Sequence, residues 1–186
     1  TSADPPPEGW RDQLATRLGY RPRRIGILAE LALYGAIGCL DIAKENELHK
    51  DVLLRVCSSR GPVSAISQVL EQNREDLPLP FSFLQSQASQ ILPALAGALN
   101  WQGDASVVIA RNSMDLAMLA CRQAGRSGML LGWVEEENPS LSHWIRLAPC
   151  TSPPAGFITA SSFEEMSSPN THYWRLGQAG MEIAAS

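Results

Sequence analysis

The sequence predicts an α/β layered domain built on a largely parallel sheet, and three observations carry that prediction. Short apolar runs rich in Val, Leu and Ile ("DVLLRVCSS", "ASVVIAR", "GMLLGWVEEE", "HWIRLAPC") read as buried strands. Segments with apolar residues at helical spacing fall between the first three of these runs, as crossover helices between parallel strands must. Finally, 45% of the 186 residues are hydrophobic and 18% charged, which suits one globular domain with a real core. The predicted order is helix, strand, helix, helix, strand, helix, strand, strand, with no internal repeat.

Each element has a local reason. "TSADPPPEGW" reads as the start of a Pro-rich arm over residues 1–20, anchored by Trp10, with a short helix from Trp10 to Leu18. In "RRIGILAELALYGAIGCLDIAKENEL" the apolar positions Ile27, Leu28, Leu31, Leu33, Tyr34, Ile37 and Leu40 form a wide helical face. A helix this apolar is buried on more than one side, and Gly35 and Gly38 permit a close neighbour. "DVLLRVCSS" is a buried strand closed by the "SSRGP" turn, and "VSAISQVLEQNRE" an amphipathic helix. "DLPLP" breaks the chain. "FSFLQSQASQILPALAGALN" starts extended or irregular and continues helical, with Pro93 kinking that helix or marking its start. "ASVVIAR" is the second strand and "SMDLAMLACRQA" the next helix. After Pro153 come short segments rich in Ser, Pro and Gly, with candidate strands at "GFITAS" and "HYWRL". This makes residues 151–186 an irregular extension packed on a domain of residues 21–150.

Composition also narrows function. A net charge of −4 argues against nucleic acid, which needs a clustered basic face, and "RPRR" at Arg21–Arg24 reads as the solvated start of a helix. No apolar run reaches the ~18–20 residues of a membrane span. The first residues do not read as a secretory leader. Cys39, Cys57, Cys121 and Cys150 have long irregular gaps, which fits neither zinc nor a disulfide framework and leaves a reducing cytoplasm as the expected setting. No metal and no cofactor is expected. His49, His143 and His172 each read as a surface or turn histidine, and "EEEN" at Glu135–Asn138 as a solvated acidic run. Cys121 lies nine residues beyond Asn112, ~13 Å along a helix, too far for the helix N-terminus to activate it.

The order of segments resembles the N-terminal half of a β-ketoacyl synthase, a member of the thiolase-like fold. "VLLRVCSSRGPVSAISQVLE" is similar to the strand, small polar turn and helix before the substrate region. "LPLPFSFLQSQASQILPALAGALNWQG" resembles the family's "SP-x-x-F-x-x-S-x-x-N" segment and the helix after it. "ASVVIARNSMDLAMLACRQAGRSGMLLGWVEE" resembles the nucleophile strand, elbow and helix and the strand that follows. "HWIRLAP" resembles the strand after that. The resemblance runs from about Arg24 to Pro149.

The family elbow reads D-T-A-C-S-S-S-L. With its Leu on Leu116, the cysteine falls on Asn112 and the next serine on Ser113, while Met114 and Asp115 replace the following two. Arg111, Asn112 and Ser113 then form a degenerate elbow with no catalytic residue, and Asn112 and Ser113 also suit a helix N-cap. The histidines that drive decarboxylation in the family belong to a C-terminal half that this sequence does not match.

The resemblance implies a thiolase-like half-fold whose mixed, mostly parallel sheet is packed with helices. It implies Phe81, Phe83, Gln85 and Gln87 as pocket lining, and Ser106, Val107, Val108 and Ile109 as the strand that pairs across a dimer. The expected function is that of an inactive accessory protein in acyl-carrier-protein-dependent fatty acyl or polyketide (aryl-polyene-like) assembly, acting by pairing or by binding an acyl group. Its partners would be a second copy or a ketosynthase, and an acyl carrier protein. Two other readings stay open: a structural module of unrelated α/β fold, and an acyl-transfer enzyme using Ser113, Asp115 or Cys121. A half-fold also bares the face its other half would cover, so the tail after Cys150 or a partner must cover it.

Overall fold

The computed structural model describes residues 5–75, 79–124, 127–137, 139–152 and 154–185. The first four residues of the Pro-rich lead-in, positions 76–78 of the "DLPLP" break, and Asn138 of the acidic run lie outside the described residues. Seven helices occur among the described residues: α1 (Trp10–Leu18), α2 (Ile27–Ala43), α3 (Val63–Arg74), α4 (Pro80–Gln85), α5 (Ile91–Ala98), α6 (Ser113–Gln123) and α7 (Phe163–Ser167). Seven strands accompany them: β1 (Leu53–Ser58), β2 (Ala105–Ile109), β3 (Met129–Glu135), β4 (Leu141–Leu147), β5 (Ile158–Thr159), β6 (Tyr173–Leu176) and β7 (Met181–Ala184). None of these helices is long and apolar enough to cross a membrane.

The main sheet has the order β2-β1-β3-β4. β1 is parallel to both β2 and β3, and β4 is antiparallel to β3. This is the mixed, mostly parallel α/β sheet that the alternation of strands and helices predicts. Side chains alternate across it. Leu54, Val56, Leu130, Val134 and Trp144 face a core shared with α1, α2 and α5. Cys57, Met129 and Leu131 face a second core shared with α6 and the chain after residue 158.

α2 is the centre of the first core. Nine of its 17 residues are buried, so it is packed on more than one side as its wide apolar face predicts. It touches β3, β4, α5 and α1. Gly35 sets that contact: a Cβ there would collide with Ser142 Oγ and the Trp144 ring. Trp144 donates from Nε1 to Ser142 Oγ at 2.9 Å, and Ser142 Oγ donates to Leu31 O at 2.7 Å, which satisfies both buried polar groups. Gly38 has no such role, since only the flexible end of Arg17 comes near it.

Two local expectations change. "PFSFLQ" is helical as α4, not extended; Pro80 stands at its first turn, where the missing N–H costs nothing. Pro93 sits in the first turn of α5 and marks its start instead of kinking it.

The tail is ordered where its composition reads as irregular. β5, β7 and β6 form an antiparallel three-stranded sheet, with the short α7 between β5 and β6. Two of these elements were hidden in the sequence. α7 has five residues, and β7 has four in a Gly-flanked stretch, so neither repeats its pattern for long enough to be read. α6 packs against β1 and β3 of the main sheet and against β6 and β7 of the small one. Phe163, Met166, Met181 and Ile183 join Leu116, Ala117 and Ala120 of α6 in the second core. The face that a half-fold would bare is thus covered by the chain's own tail.

Candidate functional site

The C-terminal ends of β2, β1 and β3 meet beside the N-terminus of α6. β2 stops at Ile109, and Ala110 N–H still donates to Ser58 O of β1 at 3.1 Å. Asn112 is extended (φ −121°, ψ 115°), and its side chain accepts from Met114 N–H at 2.9 Å. That is an N-cap satisfying one of the free N–H groups at the helix start. Arg111 and Asn112 are exposed; Ser113 is half-buried and is the first helical residue, not the cap. The chain therefore makes a strand-to-helix elbow with an amide side chain at its turn. A neutral Asn offers no nucleophile.

The thiols nearby are not activated. Cys57 lies on β1, fully buried, and burial pushes its thiol up to about 12, with the charge of Glu135 adding to the effect. Cys121 is half-buried on α6, and burial raises its thiol as well. A thiol held protonated is a core residue in chemical terms.

Of the acids that close β3, expected to be solvated, Glu137 is exposed but the first two are not. Glu135 and Glu136 are both buried. Glu135 accepts from Ser58 Oγ at 3.0 Å and from Ser59 N–H, while Ser58 Oγ accepts from Gly61 N–H at 2.8 Å. Glu136 accepts from Leu28 N–H at 2.9 Å, from Ser64 N–H at 2.9 Å and from Ser64 Oγ at 2.6 Å. One carboxylate thus serves the N-termini of α2 and α3 together, where helix dipoles favour negative charge. The two acids lock the floor of the elbow region. Sequence reasoning missed them because their partners come from segments 70–110 residues away.

A buried cation sits at the other end of β1. Arg55 Nη1 and Nη2 reach both oxygens of Asp104 at 3.0 and 3.1 Å, and Nε donates to Gln123 Oε1 at 3.1 Å. Arg55 holds the Asp104 carboxyl below the usual carboxylate range. The pair ties β1 to the start of β2 and to the end of α6.

The histidines are elsewhere. His49 and His172 are exposed. His143 is a correction: it is a buried strand residue on β4, with Nδ1 3.3 Å from Ser167 Oγ of α7, not a surface or turn histidine. β4 is three strand spacings from β2, about 14 Å at ~4.8 Å each, so His143 is no base for the elbow.

Among the cavities that the described residues form, the residues expected to line a pocket border different ones. Phe83 borders a groove of about 320 Å³ with Val69, Gln72, Leu79 and Pro80. Gln85 and Gln87 border a small crevice beside Gly26 and Glu136. Phe81 is exposed, with the Arg24 guanidinium 4.9 Å from its ring centre.

Ser106, Val107, Val108 and Ile109 lie on an edge strand, since among the described residues β2 has β1 as its only strand neighbour. Leu54 N–H donates to Asp104 O and Ala110 N–H to Ser58 O. By the alternation of a parallel ladder, Ser106 and Val108 turn their backbone groups to β1, and Val107 and Ile109 turn theirs outward. The strand carries no charge, no proline and no bulge, the devices by which edge strands avoid pairing.

No family model matches the chain, and no curated protein matches it in sequence. Among solved structures it is similar to one from Xenorhabdus doucetiae described as a ketosynthase (ApeO) in complex with its chain length factor (ApeC). The TM-score is 0.53 at 15% identity, over 69% of this chain and 60% of that chain. At that identity the likeness is one of fold: a ketosynthase-like, thiolase-like α/β architecture.

Proposed function

We propose that this chain is a non-condensing, ketosynthase-like subunit of chain-length-factor type. It pairs through β2 with a ketosynthase in acyl-carrier-protein-dependent assembly of a fatty acyl or polyketide chain, in a cytoplasmic setting. Residues 21–150 supply the ketosynthase-like unit, and 151–186 cover it. The observation that carries the reading is the elbow. Strand, turn and helix are in place, but the turn holds Asn112 as a helix cap, and both nearby thiols are held protonated. A fold kept without its nucleophile fits a partner role better than a catalytic one.

Two further observations support it. β2 is an unprotected edge strand beside that elbow. In the similar structure a ketosynthase is held with a chain length factor.

The test is co-expression with each ketosynthase of the same genome, followed by sedimentation and a condensation assay. A stable one-to-one complex in which only the synthase labels with a thiol-directed acyl analogue is expected. Absence of any complex, or rapid acylation of this chain at Cys57 or Cys121, sinks the reading.

A further inference from the structure

Five strand residues are too few to hold two proteins together. A stable interface takes about 20–30 residues from each side, and β2 supplies five. A partner paired with β2 must therefore extend over neighbouring surface.

One side of β2 offers such a surface. Thirteen large hydrophobic residues are exposed among the described residues, and seven of them cluster here. Ile66 and Leu70 lie on α3; Leu79, Phe81, Phe83 and Leu84 lie on or next to α4; Ile109 ends β2. The surface is continuous. A Cβ at Gly61, just before α3, would meet Ile109 Cδ1 and the Ala88 Cβ in the turn after α4. α3 and α4 pack together, with Gln72 Nε2 donating to Ser82 Oγ at 3.0 Å.

The surface is also poor in charge, with the Arg24 guanidinium over the Phe81 ring. No charged residue occurs from 61 to 70 or from 79 to 103, and none in β2. Interface cores show this signature: depleted charge, enriched aromatics, and a concave spot that accepts an anchor side chain. The groove of about 320 Å³ between α3 and α4 supplies the concave spot.

We infer that the apolar ridge of Ile66, Leu70, Leu79, Phe81, Phe83 and Leu84 is the second half of the β2 interface and is covered by the same ketosynthase subunit. This rests on the function proposed above. The partner inserts one large apolar side chain into the α3–α4 groove while its own edge strand pairs with β2.

The experiment measures affinity for the co-expressed ketosynthase by calorimetry, with thermal melts as a check of folding. Leu70→Glu/Phe83→Glu changes two exposed side chains, so the melt stays near that of the parent. The affinity is expected to fall about 30-fold or more, the loss of a buried hot spot. Ile42→Glu, at a more exposed hydrophobic residue beside β4, is the control and leaves affinity unchanged. If Leu70→Glu/Phe83→Glu binds as tightly as the parent while Val107→Pro does not bind, the ridge is no interface, yet the proposed function stands. If the parent chain binds no ketosynthase, both fall. If the double variant abolishes only self-association, the occupant is a second copy and the assignment to a ketosynthase is overturned.

Discussion

The main sheet has two edges, and they are finished in opposite ways. β4 is flanked by α2 on one face and α7 on the other. It carries polar anchors: Ser142 to the α2 backbone, His143 to Ser167, and Arg146 to Glu45 at 2.9 Å. Three of its seven residues are fully buried. β2 has no anchor of this kind; none of its five residues is fully buried, and Ile109 is 54% exposed. The difference teaches where stability and association reside. The tail covers α6 and flanks β4, so the face bared by a half-fold gives no reason to expect an oligomer. That reason now rests on β2 and the apolar ridge beside it.

The comparison breaks or sharpens by substitution, beginning with the covered side. Phe163 is buried against Trp133 and Trp174 beneath the small sheet. Phe163→Ala should cost about 3–5 kcal/mol, read as a fall in urea midpoint. A loss below 1 kcal/mol would mean the tail is not part of the cooperative fold. Glu136→Ala strips three hydrogen bonds from two helix N-termini and should cost about 3 kcal/mol, whereas Glu136→Gln keeps an acceptor and loses less. Equal losses in the two variants would show that the carboxylate does not serve those donors.

Gly35→Ala should cost about 1–3 kcal/mol by overpacking, although alanine is the better helix former, because Ser142 and Trp144 have nowhere to move. A stabilised protein in thermal melts would mean α2 can lift off β4. Asp104 adds a pH dependence. Its carboxyl is held low by Arg55, so the stabilisation is present above the unfolded value of about 3.9 and is lost as pH falls through the lower folded value. Asp104→Asn should flatten that acid limb of the stability curve. An unchanged limb would place the acid sensitivity elsewhere.

Val107→Pro has the smallest expected effect on stability, within about 1 kcal/mol, because edge strands tolerate proline where the N–H faces outward. It should nevertheless abolish pairing with the ketosynthase. Retained pairing would show that β2 is not the contact, and the contrast between the two edges would then carry no functional meaning.

The parts legible in the sequence share a physical property. α2, α6 and the four main strands repeat an apolar pattern over several residues, and Asn112 caps α6 by a bond to a residue two positions on. Local periodicity and local capping chemistry are written along the chain. The unread parts depend on distant partners. Glu135 and Glu136 look like solvent-facing acids until the turn after β1 and the starts of α2 and α3 close over them. His143 looks like a turn residue until β4 pairs with β3.

The sequence alone determined the α/β class, the order of the main elements and the amide residue that caps α6, since each depends on residue type and spacing within one segment. Tertiary structure decided that the tail folds into a sheet over α6, that two acids are buried as helix anchors, and that one edge strand is held by polar anchors while the other is not. These follow from which surfaces meet, and short strands and single carboxylates acquire their roles only when segments far apart in the chain come together.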